Sequence, residues 1–399
     1  MPPLRDIVAG PWRAVGVLGV TQIIAWGTIF YSLVLTAPLI VAETGWSLSF
    51  VMGGFSLGLL IAGLVSPYIG RSIDRHGGHL VMTIGALVAA LGLFGLAHAN
   101  SPAMYLAVWV VLGAGLGGSL YDPAFASLGR IFGAAARRPI TILTLAGGFA
   151  STIGWPVTHL LIGAIGWRGT YMVHAAAMAL VCAPLYAFAL PRSRAAPGAS
   201  TGGPNAPAVA PAPVPPRGTV FVLVTAAFTA YAFVPSALSA HMLAIFGRGG
   251  IDAATVVMIG ALFGPAQVAA RVTELAFGRD VHPLSVTRSA LALLVVAFAL
   301  LTLLGISVPI AAVFAIMFGA ANGLMTITRG TLPLALFGAT GYGGMMGRIS
   351  GFYLVMQSAA PLIMAIVAER ISDGTALALA AAFAFISLGG FAAIRRPGI

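Results

Sequence analysis

Two charged side chains, Arg271 and Glu274, lie three residues apart in a stretch otherwise suited to hydrocarbon, GPAQVAARVTELAFGRD, residues 264–280. At 100° per residue, Gly260, Gly264, Gln267, Arg271, Glu274 and Gly278 fall within roughly 80° of one helix face. A charge near the middle of a membrane helix costs about 2.5–3.5 kcal/mol, so this stripe must face a bundle interior or an aqueous cavity. Its glycines leave room there for a partner helix or a ligand. A guanidinium fork can hold a carboxylate through two parallel hydrogen bonds, and a glutamate can carry a proton. The plainer alternative is an Arg271/Glu274 ion pair at i and i+3 that neutralises itself and pins helices together.

Other polar groups recur in apolar surroundings. In GGSLYDPAFASLGR, residues 117–130, Asp122 precedes Pro123 and shares a face with Gly115, Gly118 and Ala126. A carboxylate removed from water takes up a proton more readily, which suits a proton carrier. In ANGLMTITRGTLP, residues 321–333, Arg329 shares a face with Asn322, Met325 and Pro333. The competing reading makes Asp122 a structural acid beside a proline break and bonds Arg329 to loosened backbone carbonyls. Gln22 with Trp26, and Tyr353 with Gln357, each stand at i and i+4, a donor beside an aromatic face, which suits an organic ligand or glue between helices. His159 and His241 read as interface histidines.

The elements that must hold these residues follow from composition. Charged residues are 7% of 399 and hydrophobic ones 59%, which describes an integral membrane protein. A hydrocarbon core of ~30 Å needs about 20 apolar residues per helix. Twelve such runs are predicted: 14–41, 49–70, 79–98, 103–128, 139–164, 168–190, 219–246, 253–278, 284–306, 308–336, 344–368 and 375–394. There is no lysine. With the N-terminus inside, fifteen arginines fall on the inner side and three on the outer, leaving Arg271 and Arg329 within spans. Both termini are therefore expected in the cytoplasm. The first span is expected to stay as an anchor, because residues 1–13 are too short and polar for a cleaved leader.

The formal charge of +11 reflects this inner-side arginine bias, and no nucleic-acid partner is expected. One cysteine, Cys182, excludes an intramolecular disulfide and a cysteine-built metal site. No metal-ligand spacing, phosphate-binding loop or nucleophile with a base is recognisable, so neither a metal nor a cofactor is expected.

Between the sixth and seventh runs lies PRSRAAPGASTGGPNAPAVAPAPVPPRG, residues 191–218, a linker in which no apolar face can form. It separates an N-terminal six-helix unit, 1–190, from a C-terminal one, 219–399. Gly70-Arg71 recurs as Gly278-Arg279, Gly118 as Gly323, and Phe132-Gly133 as Phe337-Gly338, which argues for a duplicated transporter architecture.

The stretch after the second run, GRSIDRHGGH, residues 70–79, resembles the cytoplasmic signature of the major facilitator superfamily at Gly70, Asp74, Arg75 and Gly77. The resemblance implies an all-α fold of twelve membrane helices in two pseudo-repeats, with spans one, four, seven and ten lining a central cavity, where Asp122 and Arg329 could meet. It also implies that Asp74 closes an inner gate on the opposite half. The second-half counterpart has His282 where the carboxylate would fall, so an asymmetric gate is expected. The Gly45-Trp46-Ser47 entry, RRPITILTLAGGFASTIG at 137–154 and Gly166-Trp167-Arg168 are similar to bacterial relatives of the monocarboxylate porters and oxalate/formate exchangers. In that group an eighth-span arginine holds the substrate carboxylate four residues after an aspartate. Arg271 matches the arginine, Gln267 replaces the aspartate, and Glu274 is one turn away.

The resemblance thus implies a monomeric secondary transporter of a small organic anion in a bacterial cytoplasmic membrane, linked to protons through Glu274 or Asp122. Gln267, Arg271, Arg329, Asn322, Gln22, Trp26, Tyr353 and Gln357 are the candidate binding residues. Proton-coupled efflux of apolar or cationic compounds is the alternative, against which stand Trp109 before Gly113 and the Gly154-Trp155-Pro156 sequence. A membrane enzyme or a sensor is the third class.

Overall fold

The computed structural model describes residues 10–192, 218–278 and 280–395. Ten apolar helical stretches are long enough to cross a bilayer, and one of them, Pro102–Ala189, is 88 residues long. That is several times the ~20 residues of one crossing. It reverses between Phe132 and Arg137 and again at Gly166, whose φ of 71° only glycine adopts without strain, and so makes three passes. The described residues thus form twelve crossing helices: α1 Arg13–Thr44, α2 Leu48–His76, α3 Gly78–Ala97, α4 102–132, α5 137–165, α6 167–189, α7 Thr219–Arg248, α8 Ala253–Phe277, α9 Pro283–Leu304, α10 Val308–Phe337, α11 Tyr342–Arg370 and α12 Asp373–Ala392. The largest departure from the sequence expectation is α2, which continues through Asp74 to His76, so the signature is mostly two helical turns and only Gly77, at φ 86°, makes the reversal. Residues 193–217, most of the expected linker, and Arg279 lie outside the described residues.

We call the side where α1 begins and α12 ends the terminal face, and its opposite the distal face. At the distal face the side chains of Ser47, Ser101, Asp252 and Ser372 accept the free N–H of the third residue in α2, α4, α8 and α12. Each such cap is worth about 1 kcal/mol. The pseudo-repeat appears there as two ion pairs with exchanged signs. Glu43 of α1 meets Arg168 of α6 at 2.8 Å, and Arg248 of α7 meets Asp373 of α12 at 2.7 Å.

Several spans are broken near mid-depth, and the breaks follow from residue type. Pro123 has no N–H to give the Ser119 carbonyl four residues back, and α4 is interrupted at Leu120. The Gln22 amide of α1 donates to that carbonyl at 2.7 Å instead, and its oxygen accepts from Trp26 Nε1 at 3.1 Å. In α11, Pro361 likewise frees the Gln357 carbonyl, and the Ser236 hydroxyl of α7 donates to it at 2.7 Å. α8 breaks at Leu262, α5 between Gly147 and Ala150, and α1 widens into a π-helical turn over Trp26–Tyr31.

Because Gln22 spends both ends of its amide inside the first six spans, Gln22→Leu should strand the buried Ser119 carbonyl. A loss of about 1–2 kcal/mol is expected, read as a lower unfolding temperature of the purified protein. An unchanged unfolding temperature would count against this account of the α4 break.

Candidate functional site

The two sets of six helices meet along three lines of polar contact. At the centre, Arg329 Nη2 of α10 lies 3.0 Å from Asp122 Oδ1 of α4, at ion-pair distance but off the hydrogen-bond line, so Oδ1 is left without an aligned donor. The Arg329 guanidinium also stands 4.5 Å above the Tyr353 ring of α11. Below the pair, a small cavity of about 10 Å³ borders Asp122, Ser66, Gly70, Gly343 and Gly347, at the threshold for one water.

The second line joins α2 to the start of α11. Asp74 accepts from the backbone N–H of Gly343 at 2.9 Å and of Gly344 at 2.6 Å, placing a carboxylate on the positive end of a helix. The approach needs bare backbone, since a Cβ at Gly70 would collide with the Gly343 carbonyl and one at Gly347 with that of Ser66. Gly343, Gly347 and Gly351 repeat every fourth residue, the small-residue spacing of close membrane-helix contact. Arg130 of α4 supports the same corner by donating to the Ile73 and Asp74 carbonyls at the end of α2.

The third line joins α5 to α8. Arg137 donates to Glu274 Oε1 at 3.1 Å and to the Gly278 carbonyl at 2.6 Å, a cation on the negative end of α8. Thr141 donates to the second Glu274 oxygen at 3.3 Å. Arg271, 3% exposed, donates from Nη1 to the Thr144 carbonyl at 2.8 Å, and Gly148 leaves the space for it. Its Nε is buried without a partner, and the hydroxyls of Tyr31, Tyr121 and Tyr231 are within its electrostatic reach.

The Arg271/Glu274 pairing weighed from the sequence is therefore not what forms. At i and i+3 both side chains project toward α5, where Glu274 finds Arg137 and Arg271 finds a main-chain carbonyl at the α5 break. Asp122 and Arg329 are brought together. Tyr353 joins them, while Asn322 accepts from Tyr231 at 2.7 Å nearby. Gln267, Gln357 and Trp26 are half-buried. Arg75 is exposed. His241 hydrogen-bonds the Pro361 carbonyl at 2.9 Å, and His159 is exposed. The sequence reading passed over Arg137, Thr141, Thr144, Tyr121, Tyr231 and the α11 glycines. Of these only the four-residue glycine spacing carried a signal in one dimension.

The hydrogen bonds and ion pairs between the two halves lie at or on the terminal side of the Asp122–Arg329 pair. Among the described residues none joins the halves at the distal side, and α1 makes no substantial contact with α7. The described contacts between the halves thus gather at the terminal face.

The fold has known counterparts. The sequence pattern of the Major Facilitator Superfamily matches residues 17–360. The chain belongs to the major facilitator superfamily. As a facilitator it is a multi-pass membrane transporter rather than an enzyme. Its fold is similar to that of the human organic anion transporter MFSD10 (TM-score 0.72, 16% identity, covering 98% of this chain and 100% of that one). It is also similar to FucP in the outward conformation (0.72, 11%, 95% and 97%) and to the proton:xylose symporter XylE bound to 6-bromo-6-deoxy-D-glucose (0.69, 11%, 94% and 94%). At these identities the likeness concerns the fold. No curated protein sequence matches the chain.

In this facilitator Asp74→Asn should weaken the hold on the α11 N-terminus without loss of folding, because the neutral amide oxygen keeps one acceptor but no charge. A cysteine at Ser66, buried in the α2–α11 contact, reports it in a Cys182→Ala background: labelling from the terminal side should rise several-fold. Unchanged labelling would rule out Asp74 as a determinant of closure.

Proposed function

We propose that this facilitator carries a small organic anion, a carboxylate, together with a proton across the cytoplasmic membrane of a bacterium, with the terminal face and both termini in the cytoplasm. The arginine asymmetry of the sequence supports the orientation. The observation that carries the substrate reading is the charge balance at the centre. Arg329 has Asp122 and Arg137 has Glu274, but buried Arg271 meets no acid in the described ion pairs; it has the Thr144 carbonyl and the Tyr121 hydroxyl, with Nε unused. A buried guanidinium without an acid is costly, and a substrate carboxylate supplies the missing charge in the geometry a planar fork accepts.

Coupling follows from competition. While Asp122 is ionised it occupies Arg329; once protonated it releases that guanidinium, which can then turn to the arriving anion. Anion and proton therefore load together, and the net charge of the centre changes little. Glu274, with both oxygens turned to α5, then serves the closure of the terminal face rather than the proton. Asp74 acts as the gate acid, with Gly70 and Gly77 giving it close approach and a tight reversal, and Arg75 contributing inner-side charge. The half-buried aromatics near Trp26 also suit apolar or cationic efflux substrates, but an unmatched Arg271 repels a cation.

Arg271→Lys should insert and fold yet weaken carboxylate binding at least tenfold, about 1.4 kcal/mol, because charge is kept and the fork is lost. In proteoliposomes Asp122→Asn should keep anion exchange but lose accumulation driven by a pH gradient. Parental affinity in folded Arg271→Lys would sink the anchor role, and stabilisation of the parent only by cationic compounds would favour efflux.

A further inference from the structure

Beside Arg271 the first six spans present a run of rings. Trp26 and Phe30 have centroids 4.8 Å apart, Phe30 and Phe55 5.0 Å, Trp26 and Tyr121 5.0 Å, and Tyr31 and Trp155 5.9 Å. Trp26, Phe30, Tyr31 and Phe55 are each only half-buried. The run begins at the arginines, since Tyr31 and Tyr121 both stand within reach of Arg271, and Tyr121 within reach of Arg329.

The local backbone produces this grouping. Residues five apart on an α-helix point about 140° away from each other. The π-helical turn over Trp26–Tyr31 instead sets the rings of Trp26 and Tyr31 6.0 Å apart. Such turns are rare and concentrate at functional positions. Gly27, packed on Gly154, anchors the widened turn to α5. The last six spans offer polar groups instead, the Tyr231–Asn322 pair and the half-buried Gln267 and Gln357.

We infer that the substrate is an aromatic monocarboxylate, its carboxylate on Arg271 and its planar ring against the wall of Trp26, Phe30 and Phe55. The inference rests on the carboxylate reading above and adds the body of the molecule. Half-exposed rings beside a buried cation leave apolar faces unpaired, and a flat ligand covers them edge-to-face or stacked. A short aliphatic acid such as lactate reaches the guanidinium but leaves the wall bare.

The test uses the purified full-length protein in detergent, following thermal stabilisation and tryptophan fluorescence with benzoate, trans-cinnamate, cyclohexanecarboxylate, L-lactate and tetraphenylphosphonium. Benzoate and cinnamate should bind about tenfold or more tightly than lactate, and benzoate more tightly than the non-planar ring acid. Phe55→Leu should weaken benzoate two- to tenfold and leave lactate unchanged. If lactate equals benzoate, or cyclohexanecarboxylate does, the aromatic ring is overturned while the carboxylate reading stands. If only tetraphenylphosphonium binds, or if no acid does, both fall. Benzoate binding that is unaltered in folded Phe55→Leu overturns the wall.

Discussion

An ion inside a hydrocarbon layer must be matched by a partner, and in this facilitator the two halves supply each other's partners. Asp122 of the first half meets Arg329 of the second, and Arg137 of the first meets Glu274 of the second. Asp74 of the first meets two N–H groups at a helix start of the second. Each of these contacts crosses from one half to the other, so together they hold the halves on one face. The need for such partners also makes the closure reversible. A proton on Asp122, or an anion beside Arg271, changes which partner each arginine needs.

Interrupted helices give these charges something to bind. Within lipid a regular helix offers no free donors or acceptors, so polar backbone exists only where a span is broken and the break is buried in protein. The Ser119 carbonyl freed by Pro123 is taken by Gln22, and the Thr144 carbonyl, in the last turn before the α5 break, accepts from Arg271 in addition to the Gly148 N–H.

The duplicated halves have diverged in chemistry while keeping their frame. The distal ion pairs occupy matching corners with exchanged signs. At the position corresponding to Asp74, His282 accepts from the Leu284 N–H of its own helix at 3.1 Å and caps α9. The first half brings the rings of Trp26, Phe30 and Phe55, and the second brings both central arginines. A cleft with one aromatic wall and one cationic, amide-bearing wall orients a ligand as symmetric walls would not.

Hydropathy alone determined the all-helical class and the places of the crossings, because the thickness of a bilayer fixes the length of an apolar run. Residue type alone marked Asp122, Arg271, Glu274 and Arg329, since a charge in such a run is too costly to be incidental. What periodicity could not settle was pairing, because it orders side chains around one helix and says nothing of which helix faces them. From one dimension Glu274 belongs with Arg271, three residues away. In three dimensions it belongs with Arg137, 137 residues away, because the two helices cross where α8 ends and its carbonyls draw the same cation. The aromatic wall was hidden for a related reason. Trp26 and Tyr31 lie on different faces of any regular helix, and only the packing that widens α1 by a π-helical turn brings their rings together.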